Sequence, residues 1–303
     1  MRGSWVVLGI AAHAGCAGGA GGPDPDETEN PLICMGSGPV DVAGRFAVLA
    51  SLTVHINAQG LVDTDASAAL LIALDVSQSG QAIGVVAELC DLAIPDVPVA
   101  GQERPVHFEP GPGLLASVRP VSGTGSLDGT SACATFASDP ITLLIGARMS
   151  PPTQGTLPEA DSTGAFTTCL PATASCYDAI TSNCVCDQEN DDKPGATLRA
   201  QNVPAVPLEE VYVNLRTSFS LTGQVWSSDL ILGEVEASLE QGILGCRKAG
   251  NVPCSTGEVQ LVKNLNPDVT ASEEEPSTFR AVRVPEGTAC AQIIEMRDQL
   301  FPR

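Results

Sequence analysis

A period-two pattern of small or apolar residues, met twice and far apart, is the feature that most narrows the fold. Phe46, Val48, Ala50, Leu52, Val54 and Ile56 are small or apolar at every second position, alternating with Arg45, Ala47, Leu49, Ser51, Thr53, His55 and Asn57. Successive side chains of a strand point to opposite faces, so the run predicts a half-buried β-strand. Val211, Val213, Leu215, Thr217, Phe219 and Leu221 repeat the pattern. Each run leads to a glycine, Gly60 or Gly223, then to an Asp-containing turn, another apolar run, a cysteine, a long Pro- and Gly-containing stretch and a second cysteine. The cysteines of the first series, Cys90 and Cys133, are 43 residues apart, and those of the second, Cys246 and Cys290, are 44 apart. Local text recurs as well, Gly129-Thr130-Ser131-Ala132-Cys133 beside Gly287-Thr288-Ala289-Cys290. The recurrence predicts two copies of one β-rich unit, residues 42–150 and 205–303, each closed by its own disulfide.

Composition supports a mainly β chain of sandwich- or barrel-like units. Thirty glycines and 23 prolines punctuate it too often for long helices. Aromatic residues make up only 4%, so Val, Leu, Ile and Ala must build the core. Ala69-Leu70-Leu71-Ile72-Ala73-Leu74 lacks alternation and reads as a buried strand or a turn of helix, whereas Ala291 to Leu300 is the best helix candidate. With 36 acidic against 15 basic residues the formal charge is −21. Such a surface repels nucleic acid and anionic headgroups and attracts cations.

Eleven cysteines raise the question of compartment: Cys16, Cys34, Cys90, Cys133, Cys169, Cys176, Cys184, Cys186, Cys246, Cys254 and Cys290. Cys16 closes an N-terminal segment with one positive charge at Arg2, a short apolar run from Trp5 to Ala12, and His13-Ala14-Gly15 before it. That layout is an export signal, residues 1–15, too short for a bilayer-spanning helix. The small-small-Cys ending resembles the lipobox of bacterial lipoproteins. The resemblance implies cleavage before Cys16, acylation of its sulfur and, because Ala17 rather than Asp follows, an outer-membrane or cell-surface address. Lipid on Cys16 leaves ten cysteines, an even number able to pair. Residues 16–41, with Gly18-Gly19-Ala20-Gly21-Gly22 and then Pro23-Asp24-Pro25-Asp26-Glu27, read as a flexible acidic tether.

Between the two units, residues 151–204 carry Cys169, Cys176, Cys184 and Cys186 and read as a disulfide-stapled connector, zinc being disfavoured without a nearby His. The acidic stretch that follows places oxygens at alternate positions, Asp187, Glu189 and Asp191, with Asp192 at the turn and Pro194-Gly195 after it. This spacing surrounds one point with hard ligands and predicts a structural Ca²⁺ loop, the alternative being a solvated acidic linker. The stretch resembles the calcium loops of thrombospondin type 3 repeats. It departs from the EF-hand pattern, since Leu198 stands at loop position twelve.

Outside the signal only His55 and His107 supply imidazole, and no nucleophile elbow, zinc-protease or phosphate-loop motif is present. The sequence therefore predicts a non-catalytic exported lipoprotein, bound to a membrane through its lipid anchor, with a binding or structural role toward a protein or lipid ligand. Two alternatives carry their own signatures. A carrier of an apolar ligand such as a lipid needs a large dry cavity lined by the apolar strand faces. A hydrolase using His107 needs a serine within hydrogen-bonding reach of the ring, with Glu109 or a nearby Asp behind it.

Overall fold

The first alternating run is a fifteen-residue strand, β1 (Gly44–Ala58), in the computed structural model, which describes residues 40–302 apart from 59–61, 130–132, 172–174, 204–205 and 273–274. The signal segment, Cys16, Cys34 and the tether up to residue 39 lie outside the described residues. β1 is followed by β2 (Val62–Ser79), β3 (Ala82–Ala93), β4 (His107–Pro110), the short helix α1 (Leu114–Ser117), β5 (Val121–Asp128), β6 (Thr135–Ser138), β7 (Ile141–Ile145) and β8 (Ala147–Arg148). The connector holds β9 (Cys184–Val185) and leads to β10 (Ala196–Gln201). The remaining elements are β11 (Leu208–Ser227), β12 (Leu230–Lys248), β13 (Val252–Pro253), α2 (Thr256–Asn264), β14 (Asp268–Ala271), β15 (Thr278–Val284), α3 (Cys290–Glu295) and α4 (Arg297–Leu300). The chain is mainly β, as composition and alternation imply.

The strands do not build two separate units. Antiparallel pairing runs β1–β2–β3–β5–β6–β11–β12–β15 and returns from β15 to β1, a closed ring of eight strands. Ranges 42–150 and 205–303 thus share one barrel and one hydrophobic core, which joins Phe46, Leu74 and Phe136 to Leu221, Ile231 and Phe279. A half-barrel of either range would leave edge strands open, and closure removes those edges.

The alternation of β1 is visible directly: Phe46, Val48, Ala50, Leu52, Ile56 and Ala58 are buried inside the ring, while Ser51 and Asn57 are exposed. β2 loses its alternation for a reason its sequence does not contain. Leu70, Ile72 and Leu74 face the interior, and Leu71 and Ala73 on the outer face are covered by α3 and α4, where they pack with Ile293 and Phe301. A strand buried on both faces reads as a continuous apolar run. The helix expected over Ala291 to Leu300 is present, broken at Met296 into α3 and α4.

The disulfides differ from the expected intra-unit pairs. Cys90 and Cys290 bond to each other across 200 residues, pinning α3 to the outer face of β3. Cys246 bonds to Cys254, only 8 residues on, across the turn that joins β12 to β13. Cys133 is disulfide-bonded as well, but not to Cys90. Pairing follows the ring: Cys90 points outward from β3 beneath α3, and Cys133 sits where its N–H donates to the Val225 carbonyl of β11. The connector is stapled as expected, by Cys169–Cys184 and Cys176–Cys186. Its Pro194-Gly195 turn presses on β11, and a Cβ on Gly195 would run into the Val213 carbonyl, so this position admits glycine alone. Several disulfides in one chain indicate an oxidising compartment and hence an exported protein. Among the described residues no helix is long and apolar enough to cross a membrane.

Candidate functional site

An eight-stranded barrel has a bore just wide enough to be filled by large side chains or to hold one small ligand. Here the two ends of the bore differ. At one end Phe46 and Phe136, neither exposed to solvent, share a buried cluster with Leu74, Leu127, Leu221 and Ile231. Toward the other end the inward positions shrink to Ala58, Ala68, Ala87 and Ala237 among Val and Leu, and the bore opens into a cavity of about 530 Å³. The scarcity of aromatics is the physical cause, since aliphatic side chains of this size cannot meet across such a ring.

The cavity wall is almost wholly hydrocarbon. Leu52, Leu70, Leu143, Val213, Phe219 and Ile243 are typical of it, and among the described residues no ionisable side chain lines it. The segment 94–106 lies over the barrel end, contributing Ile94, Val97, Val99 and Val106. On one side α2 presents Val262 and, just past its C-terminus, Leu265. α2 is held in place by a capping box, in which Ser255 accepts from the Glu258 backbone N–H while the Glu258 carboxylate accepts from that of Ser255. The polar groups of the wall cluster near α2 and β14: Thr217, Ser238, Gln241, Asn266 and Thr270. Gln241 donates its amide to Asn266 Oδ1 at 2.7 Å. A concave, apolar, drug-sized hollow with a few convergent polar groups is what a small-molecule site looks like.

The acidic loop is a second candidate. Single carboxylate oxygens of Asp187, Glu189 and Asp191 lie within 4.8 Å of one another, an arrangement that can hold a metal ion. The loop is braced by its own backbone: Asp187 accepts from the N–H groups of Asp191 and Asp192, and Glu189 from that of Thr197. Asp192, expected at the turn, adopts φ 63° and supplies the sharp bend, not a converging oxygen. Lys193 sits 3.0 Å from both Asp191 and Glu210. Burial, reinforced by the charges of Asp191 and Asp187, pushes the Glu189 carboxyl up to about 7, and its Oε2 is buried without a hydrogen-bond partner.

Neither histidine completes a catalytic arrangement among the described residues. His107 Nδ1 lies 2.6 Å from Asp96 Oδ1, and Glu109 pairs with Arg199 instead. Among the described residues no serine hydroxyl is hydrogen-bonded to the His107 ring. His55, on the outer face of β1, is bracketed by Asp65 at 3.0 Å and Asp63 at 3.1 Å, and the Asp65 hydrogen bond in particular raises its pKa.

Of the residues singled out from sequence, Asp187, Glu189 and Asp191 converge, and Cys90, Cys133, Cys246 and Cys290 are all disulfide-bonded with partners other than those expected. The hollow was not assigned to any residues in advance. The signal for it lies in the alanines at inward positions of β1 and β2. No protein-family model, curated protein or solved structure matches the chain.

Proposed function

We propose that this protein is a non-catalytic, exported binding protein that takes up one apolar small molecule in the hollow half of its barrel. The single observation that carries this reading is the cavity of about 530 Å³ walled by hydrocarbon, with no ionisable side chain among the described residues that line it. Water gains little there, because it needs two to four polar partners, whereas a hydrocarbon body recovers the contacts that facing side chains lack. The solidly packed opposite end and the Cys90–Cys290 staple fix the ring, so the hollow is preformed and need not be opened by the ligand. Acylation of Cys16 would hold the barrel at a membrane surface, where apolar molecules are concentrated. In the acidic loop the preferred ion is Ca²⁺, with a structural role, since the converging groups are hard carboxylate oxygens.

The test is titration of the protein with Nile red, an uncharged dye that brightens and shifts to the blue in apolar surroundings. Saturable binding of one dye per chain, abolished by Ala87→Trp, which places an indole in the bore, supports the reading. Fluorescence that does not saturate, or that survives the filled bore unchanged, overturns it.

A further inference from the structure

The ring is not hydrogen-bonded along its whole height. β12 pairs with β15 only from Leu230 to Glu234, followed by one more bond from the Val235 N–H to the Ser277 carbonyl. Beyond that point the neighbouring position in the wall is taken by β14, which pairs with β1 at residues 54–57. Among the described residues no backbone pairing joins β14 to β12. Instead side-chain amides cross the seam: Gln241 donates to Asn266 Oδ1 and, at 3.4 Å, to the Pro267 carbonyl, while Asn266 donates to the Gln241 carbonyl at 3.5 Å.

The cavity reaches into this seam. In β1 and β11 its wall uses alternate residues only, Leu52, Val54 and Ile56 or Val213, Leu215, Thr217 and Phe219, as expected of a closed sheet seen from inside. In β12 and β14 three consecutive residues line it, Ala237-Ser238-Leu239 and Val269-Thr270-Ala271. Ser238 and Thr270 belong to the outer face, paired with Ser218 and His55, so the hollow touches both faces of the two strands where they meet. Ser238, Leu239, Thr270 and Ala271 are exposed. The outer rim of the seam is acidic. Glu234, Glu236 and Asp268 are exposed and have no ion-pair partner among the described residues, whereas Glu240 is neutralised by Arg216 at 2.5 Å and Asp63 and Asp65 flank His55.

Resting on the binding function proposed above, we infer that the ligand is a single-chain amphiphile with an uncharged, hydrogen-bonding head (an alcohol, ester or amide) that passes sideways between β12 and β14. Its hydrocarbon tail occupies the hollow, and its head stays at the Gln241–Asn266 amides, which can both donate and accept. A carboxylate or phosphate head meets two obstacles: among the described residues no cationic side chain lines the cavity, and Glu234, Glu236 and Asp268 repel it at the seam. The amide bridge is a weak closure by comparison with a backbone ladder. It can break and re-form as the chain passes without unpairing β1 from β14.

The experiment is competition of bound Nile red by dodecanol and by dodecanoate at pH 8 and low salt, on the full chain, the Glu236→Gln/Asp268→Asn variant and Thr270→Trp, with urea unfolding as a check that each variant is folded. Expected are displacement by dodecanol, dodecanoate weaker by about tenfold or more, and a gap that narrows by roughly threefold when the rim charges are removed or salt is raised. Thr270→Trp, which obstructs the seam, should slow uptake of the dye by about tenfold. Dodecanoate binding as tightly as dodecanol, or a gap indifferent to both rim charge and salt, overturns the head-group assignment. Unchanged uptake rates in Thr270→Trp overturn the lateral path. Absence of saturable dye binding to the unaltered chain is a different failure, since it removes the binding function itself.

Discussion

Two leucine-to-alanine substitutions, one at each end of the bore, should differ in cost although they delete the same atoms. Leu221 is 1% exposed in the filled half, and Leu70 is 8% exposed on the wall of the hollow. Removing the outer carbons of leucine forfeits about 0.8 kcal/mol per methylene equivalent, roughly 2.4 kcal/mol for three. At Leu221 a void is created where none existed, adding a cavity term that brings the total to about 3–5 kcal/mol. At Leu70 an existing hollow is only enlarged, and the side chain already lacks neighbours on its inner side, so the loss should stay near 1–2 kcal/mol. Urea unfolding of the oxidised protein measures both, read as a shift in midpoint at unchanged slope. A difference of about 2 kcal/mol is expected. Equal losses would mean that the wall at Leu70 is as well packed as the core at Leu221, and the cavity argument would fail.

Replacing both Cys90 and Cys290 by serine should cost about 2–5 kcal/mol, because the bond closes a loop of 200 residues and fastens α3 and α4 over Leu71 and Ala73; a fall in thermal midpoint together with proteolysis at the C-terminus is the readout. Arg216 lies almost buried, donating to the carbonyls of Pro152, Gln154 and Gly155 and pairing with Glu240, so Arg216→Ala should destabilise by about 2–4 kcal/mol and free the 150–155 segment for protease cleavage. Glu189 binds its proton more tightly folded, at about 7, than unfolded, at 4.5, so in chelator the folded state loses stability as pH rises from about 4.5 to about 7 and then levels off. Glu189→Gln should abolish that slope and gain on the order of 1 kcal/mol at pH 8, a value reduced for partial exposure, as thermal melts at pH 5 and pH 8 would show. Added Ca²⁺ should raise the melting temperature of the unaltered protein more at pH 8 than at pH 5, because the ion binds the charged carboxylate.

The strands were the most legible part of the chain. Period-two runs at Phe46–Ile56 and Val211–Leu221 became β1 and β11 because alternation is a property of the strand itself and needs no knowledge of its neighbours. Ring closure was not legible, since which strand lies beside which is decided by long-range pairing such as β15 with β1, more than two hundred residues apart in sequence. The same ignorance misassigned the disulfides: equal spacing suggested two homologous loops, and the barrel instead brought Cys90 under α3 and left Cys246 beside Cys254. The helix α2 carried a readable signal, Ser255 followed three residues later by Glu258, masked by surrounding breakers. The hollow was readable only in part. Ala58, Ala68 and Ala87 announce small inward side chains, but whether small side chains leave a void depends on the width of the ring they line. In the acidic loop the alternate oxygens converge because the backbone N–H groups of Asp191 and Asp192 hold Asp187, a local bracing that spacing alone anticipates.

Native mass spectrometry of protein purified from its exported compartment, combined with organic-solvent extraction of the same sample, tests the central claim most directly. The account predicts a one-to-one complex with an apolar molecule that is recovered in the extract and is missing from the Ala87→Trp variant. Chains that fly bare, with an extract no different from that of the filled variant and no uptake of added dodecanol, would contradict it.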